Sequence, residues 1–397
     1  MKKALIISVG TGTEPSPEAI ESLANAIAFS IENNNPDQTF FITSEEGMKN
    51  TIPKILEKTR SKNYEIVKIA NPDDIQLTYE ELSQKLKEIR QNFDHITIDY
   101  TSGTKAMTGA LTILGTIIEA DTLSYISGKR RGGIVQQGTE KLNTVRPFFA
   151  IAEEKIAVAI QFFNKHQFDS TLSILSQIEK TTKDQDLIDQ ITPLKTAAEA
   201  YQLWDKFQHS EAFQKLSQIK KETLNSNKRF LGQLVSSKER EPYYVADLIN
   251  NAIRRGTDEK KCDDAVARLY RTIELLAQYQ LKRKYNIEPS SVKPEDIPKT
   301  LHRKWNIDPE IHKIQIPLEK AYGLLQAKDD ELGKKWSQDK ELKNLLAKRN
   351  TSILAHGLNP VDKETYMRLL KKATNYASLI MKSLDSLLED SAFAEWK

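Results

Sequence analysis

Apolar and polar positions change their period about a third of the way along the chain. Up to residue 146, short apolar runs alternate with stretches of helical spacing. Runs at 4–9, 40–43, 64–69, around Ile96 and Ile98, and at 123–127 read as strands. Between them, 17–32, 49–61 and 79–93 read as helices, and Ala110, Leu111, Ile113, Leu114, Ile117 and Ile118 recur at helical spacing. Strand and helix in strict alternation predict a parallel, doubly wound α/β sheet of Rossmann-like form. After 123–127, Gly128-Lys129-Arg130-Arg131-Gly132-Gly133 reads as a turn and Ile134-Val135 as the return strand.

From Pro147 glycine nearly vanishes and helical periodicity takes over. Phe162-Phe163-Asn164-Lys165-His166-Gln167, continuing to Leu175-Ser176-Gln177-Ile178, resembles Leu203-Trp204-Asp205-Lys206-Phe207-Gln208, continuing to Leu216-Ser217-Gln218-Ile219. The offset is 41 residues, a period that suits stacked helical hairpins. Asp264 to Tyr285 forms a long amphipathic helix. Residues 286–317, rich in Pro, Asp and Asn, read as an irregular insertion, and helices follow at 318–327, 339–356 and 362–389. The expected architecture is therefore an α/β domain at 1–146, an all-α connector at 147–245 and an all-α domain at 246–397.

Composition narrows the function classes. The chain has 397 residues, 28% of them charged, with one cysteine, Cys262. A lone cysteine excludes an internal disulfide framework and fits a reducing cytoplasm. No apolar run reaches membrane-spanning length, and Met1-Lys2-Lys3 leads directly into a strand, so neither a membrane anchor nor a signal peptide is expected. The net charge of +3 is too small to argue for nucleic acid, although residues 246–397 carry 28 basic against 23 acidic side chains. The six histidines show no ligand spacing with Cys or paired carboxylates, so no metal is expected.

Two stretches carry chemistry. The first is Asp99-Tyr100-Thr101-Ser102-Gly103-Thr104-Lys105-Ala106-Met107, on a strand-to-helix turn at the carboxyl edge of the expected sheet, where open α/β sheets bind ligands. Its hydroxyls, the free amides of a helix start and Lys105 suit a phosphate-bearing ligand, although a Thr before a helix commonly serves only as a cap. A Walker loop is excluded by its spacing. The first loop, Gly10-Thr11-Gly12-Thr13, has Pro15 where the dinucleotide fingerprint needs its third glycine, so a conventional NAD site is not expected. Ser44 and Glu45 lie at another strand end.

The second stretch is Arg349-Asn350-Thr351-Ser352-Ile353-Leu354-Ala355-His356-Gly357. On a continuous helix Arg349 and His356 stand two turns apart on nearly one face, on the stripe of Leu342, Leu346 and Ile353, with Gly357 and Pro360 ending the helix. An Arg and a His at this spacing also occur by chance. On the helix at 264–285, Arg268, Arg271 and Glu274 recur three apart, a spacing that ordinary helix salt-bridging also explains.

The run Asp99–Met107 resembles the signature of CARF domains, the CRISPR-associated Rossmann-like domains that sense cyclic oligoadenylates; Ser102 stands where many members carry Gly. Arg349-Asn350 followed by His356 resembles the motif of HEPN ribonucleases. CARF followed by HEPN is the architecture of the type III CRISPR ancillary ribonucleases. The resemblance implies a homodimeric, metal-independent endoribonuclease that cleaves single-stranded RNA through its own 2′-hydroxyl and is activated allosterically by cyclic tetra- or hexa-adenylate, with no cofactor. It implies catalysis by Arg349, Asn350 and His356, with Arg268, Arg271 and Glu274 in support. It implies ligand binding by Gly10, Thr11, Gly12, Thr13, Ser44, Thr101, Ser102, Gly103, Thr104, Lys105 and Met107. Some CARF domains also cleave their ligand. Two other readings stay open, a sensor with an inactive HEPN domain and a metal-dependent DNA nuclease.

Overall fold

The computed structural model describes residues 2–12, 16–59, 63–131, 134–182, 184–305 and 313–397. The chain divides into two compact units, Met1–Glu154 and Lys155–Lys397.

The first unit is built on strands β1 (Lys3–Val9), β2 (Gln38–Thr43), β3 (Tyr64–Lys68), β4 (His95–Asp99), β5 (Thr122–Ser127), β6 (Arg130–Arg131), β7 (Ile134–Val135) and β8 (Lys141–Val145). Six of them form one sheet in the order β3-β2-β1-β4-β5-β8. The first five run parallel, and β8 runs antiparallel to β5. Central strands buried on both faces read as continuous apolar runs, as β1 does. Its side chains alternate. Leu5, Ile7 and Val9 pack with Ala24, Ile27 and Ile55 on one face. Ala4 and Ile6 pack with Leu82, Leu86 and Leu111 on the other.

The expected return strand is corrected. Ile134–Val135 does not pair with β5; it pairs with Arg130–Arg131, which themselves lie in a strand rather than a turn. The partner of β5 is β8. Its run Lys141-Leu142-Asn143-Thr144-Val145 is largely polar because it sits at the sheet edge.

The 41-residue similarity is a structural repeat. Helices Pro147–Asn164 and Phe168–Thr181 meet through His166, and helices Gln185–Asp205 and His209–Ser217 meet through Phe207. Both linking residues are left-handed, at φ 59° and 61°. The backbone bonds match too: the amides of Gln167 and Gln208 donate to the carbonyls of Phe162 and Leu203.

A second core joins helices Glu241–Ile253, Cys262–Tyr285, Leu318–Ala327, Glu331–Gln338, Lys340–Asn350 and Lys363–Ile380, with Leu269, Ile273, Tyr322 and Tyr366 at its centre. Three expectations change here. The helix expected at 339–356 stops at Asn350. The helix expected at 362–389 breaks into Lys363–Ile380 and Leu384–Ser391. The insertion at 286–317 is not wholly irregular: it contains the helix Lys299–Trp305 and a bridge between Val292 and Ile314.

The segment Ala392–Lys397 returns across the repeat. Phe393 stacks on Tyr201 at 4.5 Å between ring centroids, and the Arg254 guanidinium lies 3.7 Å from its ring centre. Asn164 pairs with both the carbonyl and the amide of Trp396, while Asn227 donates to the carbonyls of Asp390 and Ala392 and accepts from the Ala394 amide.

Candidate functional site

The strand order reverses between β1 and β4, and the two loops leaving their carboxyl ends lie together there. Gly10 and Gly103 touch: a side-chain carbon on Gly10 would stand 2.9 Å from the Gly103 Cα, so only glycine permits this approach. Gly103 sits at φ 108° and Gly12 at φ 88°, conformations that exclude most other residues. The Gly10 amide donates to the Ser102 hydroxyl at 3.1 Å, and the Ser8 hydroxyl donates to the Ser102 carbonyl. The two loops therefore form one backbone cradle.

Beneath it lies Asp99. Its carboxylate accepts from the hydroxyls of Ser30 and Ser124 and from the Thr101 amide. Burial pushes its pKa up, an effect these donors partly offset. Thr101 Oγ1 accepts from the Ile126 amide at 2.8 Å, tying the loop to β5. Thr104 caps helix Lys105–Ile117, accepting from the Met107 amide at 3.1 Å and donating to the Pro72 carbonyl. Ser44 likewise caps the helix Glu45–Asn50.

These hydroxyls are engaged in holding the loops, while Lys105 is exposed at the helix start. Thr11 and Gly12 lie at the rim, half-buried and exposed. Met107 is buried in the hydrophobic core at 1% exposure, with its Cε packed under Gly103, so it supports the cradle from below. Thr13 and His312 lie outside the described residues.

The second candidate site starts from the early helix stop. The Asn350 carbonyl accepts from the His356 amide at 3.1 Å, and the Ser352 carbonyl accepts from the Gly357 amide at 3.2 Å. These wide turns take up carbonyls that a continuing helix would have used. A side-chain carbon on Gly357 would stand 2.1 Å from the Thr351 carbonyl oxygen, so the turn closes only on glycine. Arg349 and His356 thus do not share a helical face; a compact turn links them instead. Ile353 is 60% exposed rather than part of a buried stripe.

Arg349 is held on two sides. Its guanidinium lies 4.6 Å from the centre of the Tyr270 ring, and Nη1 donates to Asn350 Oδ1 at 3.4 Å. Its Nε is buried without a hydrogen-bond partner. His356 is exposed. Tyr270 belongs to helix Cys262–Tyr285, and burial and Glu274 raise its pKa while Arg349 draws it back. Sequence reasoning missed this tyrosine, because an aromatic on a helix reads as core.

On the same helix Arg271 donates to Glu274 at 2.7 Å and to Gln278 at 3.1 Å. Arg268 is turned to Asn251 at 2.9 Å and to Asp264 at 3.1 Å. Of the three expected supporting residues, Arg271 pairs with Glu274, and Arg268 braces the neighbouring helix. Among the described residues, no His, Cys, Asp and Glu side chains gather in a group of three or more suited to a metal ion.

Comparison with known proteins assigns both halves of the helical unit. Residues 234–380 match the family model of the Csm6 HEPN domain, and residues 151–241 that of the Csm6 6H domain. Among solved structures the chain is similar to Enterococcus italicus Csm6 bound to cyclic hexa-2′-fluoro-hexa-dAMP. That likeness has a TM-score of 0.67 at 12% sequence identity, over 98% of each chain. No curated protein matched.

With an α/β Rossmann-like domain ahead of an all-α connector and an all-α HEPN domain, the fold is that of a CARF–HEPN effector. The chain belongs to the CRISPR-associated CARF–HEPN family, with Csm6-type helical domains. Among the described residues no helix is long and apolar enough to cross a membrane.

Proposed function

We propose that this chain is an endoribonuclease of type III CRISPR defence, activated by cyclic oligoadenylate and acting on single-stranded RNA without a metal. The supporting observation is the closed turn that carries Arg349, Asn350 and His356 together, with Arg349 stacked on Tyr270. RNA supplies the nucleophile, its 2′-hydroxyl. His356 transfers the proton, from that hydroxyl or to the departing 5′-oxygen. Arg349 stabilises the charge growing on the phosphate through its guanidinium. Asn350 orients the guanidinium through the bond at 3.4 Å. The products carry a 2′,3′-cyclic phosphate and a 5′-hydroxyl.

One copy offers a single Arg–His pair, and the reading takes two copies meeting around it. Ile353, Leu354 and Leu358, at 60%, 46% and 84% exposure, surround His356 with apolar surface suited to such a contact. In the α/β domain, taken as 1–146, the cradle of Gly10–Gly12 and Thr101–Lys105 receives the phosphates and riboses of a cyclic tetra- or hexa-adenylate. The likeness to a Csm6 bound to a cyclic hexa-adenylate analogue supports this choice. Residues 147–245 carry the signal and 246–397 perform the cleavage, in the cytoplasm. The ligand acts by binding the active arrangement more tightly than the resting one.

Incubating labelled single-stranded RNA with the protein and each oligoadenylate ring tests the reading. Ligand-dependent cleavage is expected; its absence with every ring would leave only a sensor.

A further inference from the structure

A cavity of about 440 Å³ opens beside Arg271 in the helical unit. Phe207, Tyr244, Arg268 and Arg271 form its walls, over buried Leu248 and Leu275. The aromatic wall is braced from behind. His209 packs edge-on against Phe207 at 5.3 Å and, tilted, against Tyr244 at 5.6 Å. The His209 ring is fixed by a 2.7 Å hydrogen bond to the fully buried Asp247.

Phe207 itself sits at φ 61°. A bulky residue in that conformation is uncommon and signals a constraint. The repeat dictates the turn, since His166 occupies the equivalent place at φ 59°. Arg268 is immobilised by Asn251 and Asp264, so its guanidinium is a fixed part of the wall. Arg271 also lines a second cavity, of about 450 Å³, with Gln278, Ser290 and Gln315 and the carboxylates of Glu274 and Glu288. Residue 270, next to Arg271, is the tyrosine under Arg349.

We propose that the cavity walled by Phe207, Tyr244, Arg268 and Arg271 is a nucleobase subsite for the single-stranded RNA cut at Arg349 and His356. The inference rests on the ribonuclease reading and deepens it. An unstacked base enters against the rings of Phe207 and Tyr244, and its size suits the volume. Arg271, leaving Glu274, takes the phosphate that follows. The next nucleotide lies over the polar second cavity, which gives the 286–317 insertion a place in substrate binding through Ser290 and Gln315. Stacking on a π-face is tolerant of base identity, so this subsite selects unpaired strands rather than a sequence.

The test uses the full chain carrying His356→Ala, saturated with cyclic oligoadenylate, and a fluorescent single-stranded RNA octamer read by anisotropy. Adding Tyr244→Leu, which keeps bulk and loses the π-face, is expected to weaken binding by about 10-fold. Tyr244→Phe is expected to bind like the parent, and the unfolding midpoint of both to match it. If Tyr244→Leu bound the octamer as tightly as the parent, the subsite would be wrong and the ribonuclease reading would stand. If the parent bound no RNA and the unmutated chain cut none, both would fall together.

Discussion

The guanidinium of Arg349 stands 4.6 Å from the centre of the Tyr270 ring, joining the end of one helix to the middle of another. A cation over an aromatic face contributes roughly 0.5–2 kcal/mol, enough to hold one rotamer of a long side chain. Tyr270 is thus a positioning residue for Arg349. Tyr270→Leu is expected to lower kcat for RNA cleavage by about 10-fold with KM little changed, and Tyr270→Phe to restore it. A Tyr270→Phe enzyme as slow as Tyr270→Leu would assign the effect to the phenol rather than the ring.

Lys105 is the exposed cation at the start of the signature helix, beside a cradle whose hydroxyls are already engaged. Reversing its charge sets repulsion against a polyphosphate ring. Lys105→Glu is expected to weaken cyclic oligoadenylate binding by about 10-fold or more in isothermal titration, since one close charge contributes at least ~1 kcal/mol and its reversal doubles the effect. Unchanged affinity would place the ligand elsewhere.

Asp99 gives the α/β domain a pH signature. Burial raises its pKa in the folded chain above the free-chain value of about 3.9. Between those two values the folded state binds more protons at this site than the unfolded state. Stability contributed by Asp99 therefore declines as pH rises through that window, and stays lower above it. The melting midpoint of the unmutated chain, measured relative to Asp99→Asn, is expected to fall as pH rises from about 4 and then level off. A difference that grows in favour of Asp99 with rising pH would contradict the assignment.

The segment Ala392–Lys397 is a strap on the repeat. Phe393 fills the space between Tyr201, Trp204 and Arg254. Burial depresses the Arg254 pKa, and two of its nitrogens have no hydrogen-bond partner, so the ring face is a main part of its environment. Phe393→Ala is expected to destabilise the helical unit by about 3 kcal/mol in urea unfolding. A loss below ~1 kcal/mol would mean the strap merely rests on the surface.

Much of this molecule is legible in its sequence, for identifiable reasons. The apolar runs of β1, β2 and β4 announce a sheet covered on both faces, and the glycines at 10 and 103 mark where two loops must touch. The 41-residue repeat survives down to its left-handed linkers, because both copies close the same hydrogen bonds. β8 was hidden because a largely polar edge strand lacks a long apolar run. The end of the helix at Asn350 was hidden for the opposite reason: Ile353 and Leu354 continue the apolar spacing, yet they face solvent. Gly357 ends the regular structure from a distance, through its contact with Thr351, which no local propensity reports. Tyr270 and Phe207 gain their roles only from neighbours distant in sequence, Arg349 and Tyr244.

The central claim is that the turn from Arg349 to His356 cuts RNA. It is tested most directly by digesting labelled single-stranded RNA in EDTA with cyclic oligoadenylate, comparing the unmutated chain with His356→Ala. The account predicts ligand-dependent fragments ending in 2′,3′-cyclic phosphates from the first. From the second it predicts a rate lower by at least about 100-fold, with ligand affinity unchanged. Cleavage abolished by EDTA, or equal cleavage by His356→Ala, would contradict it.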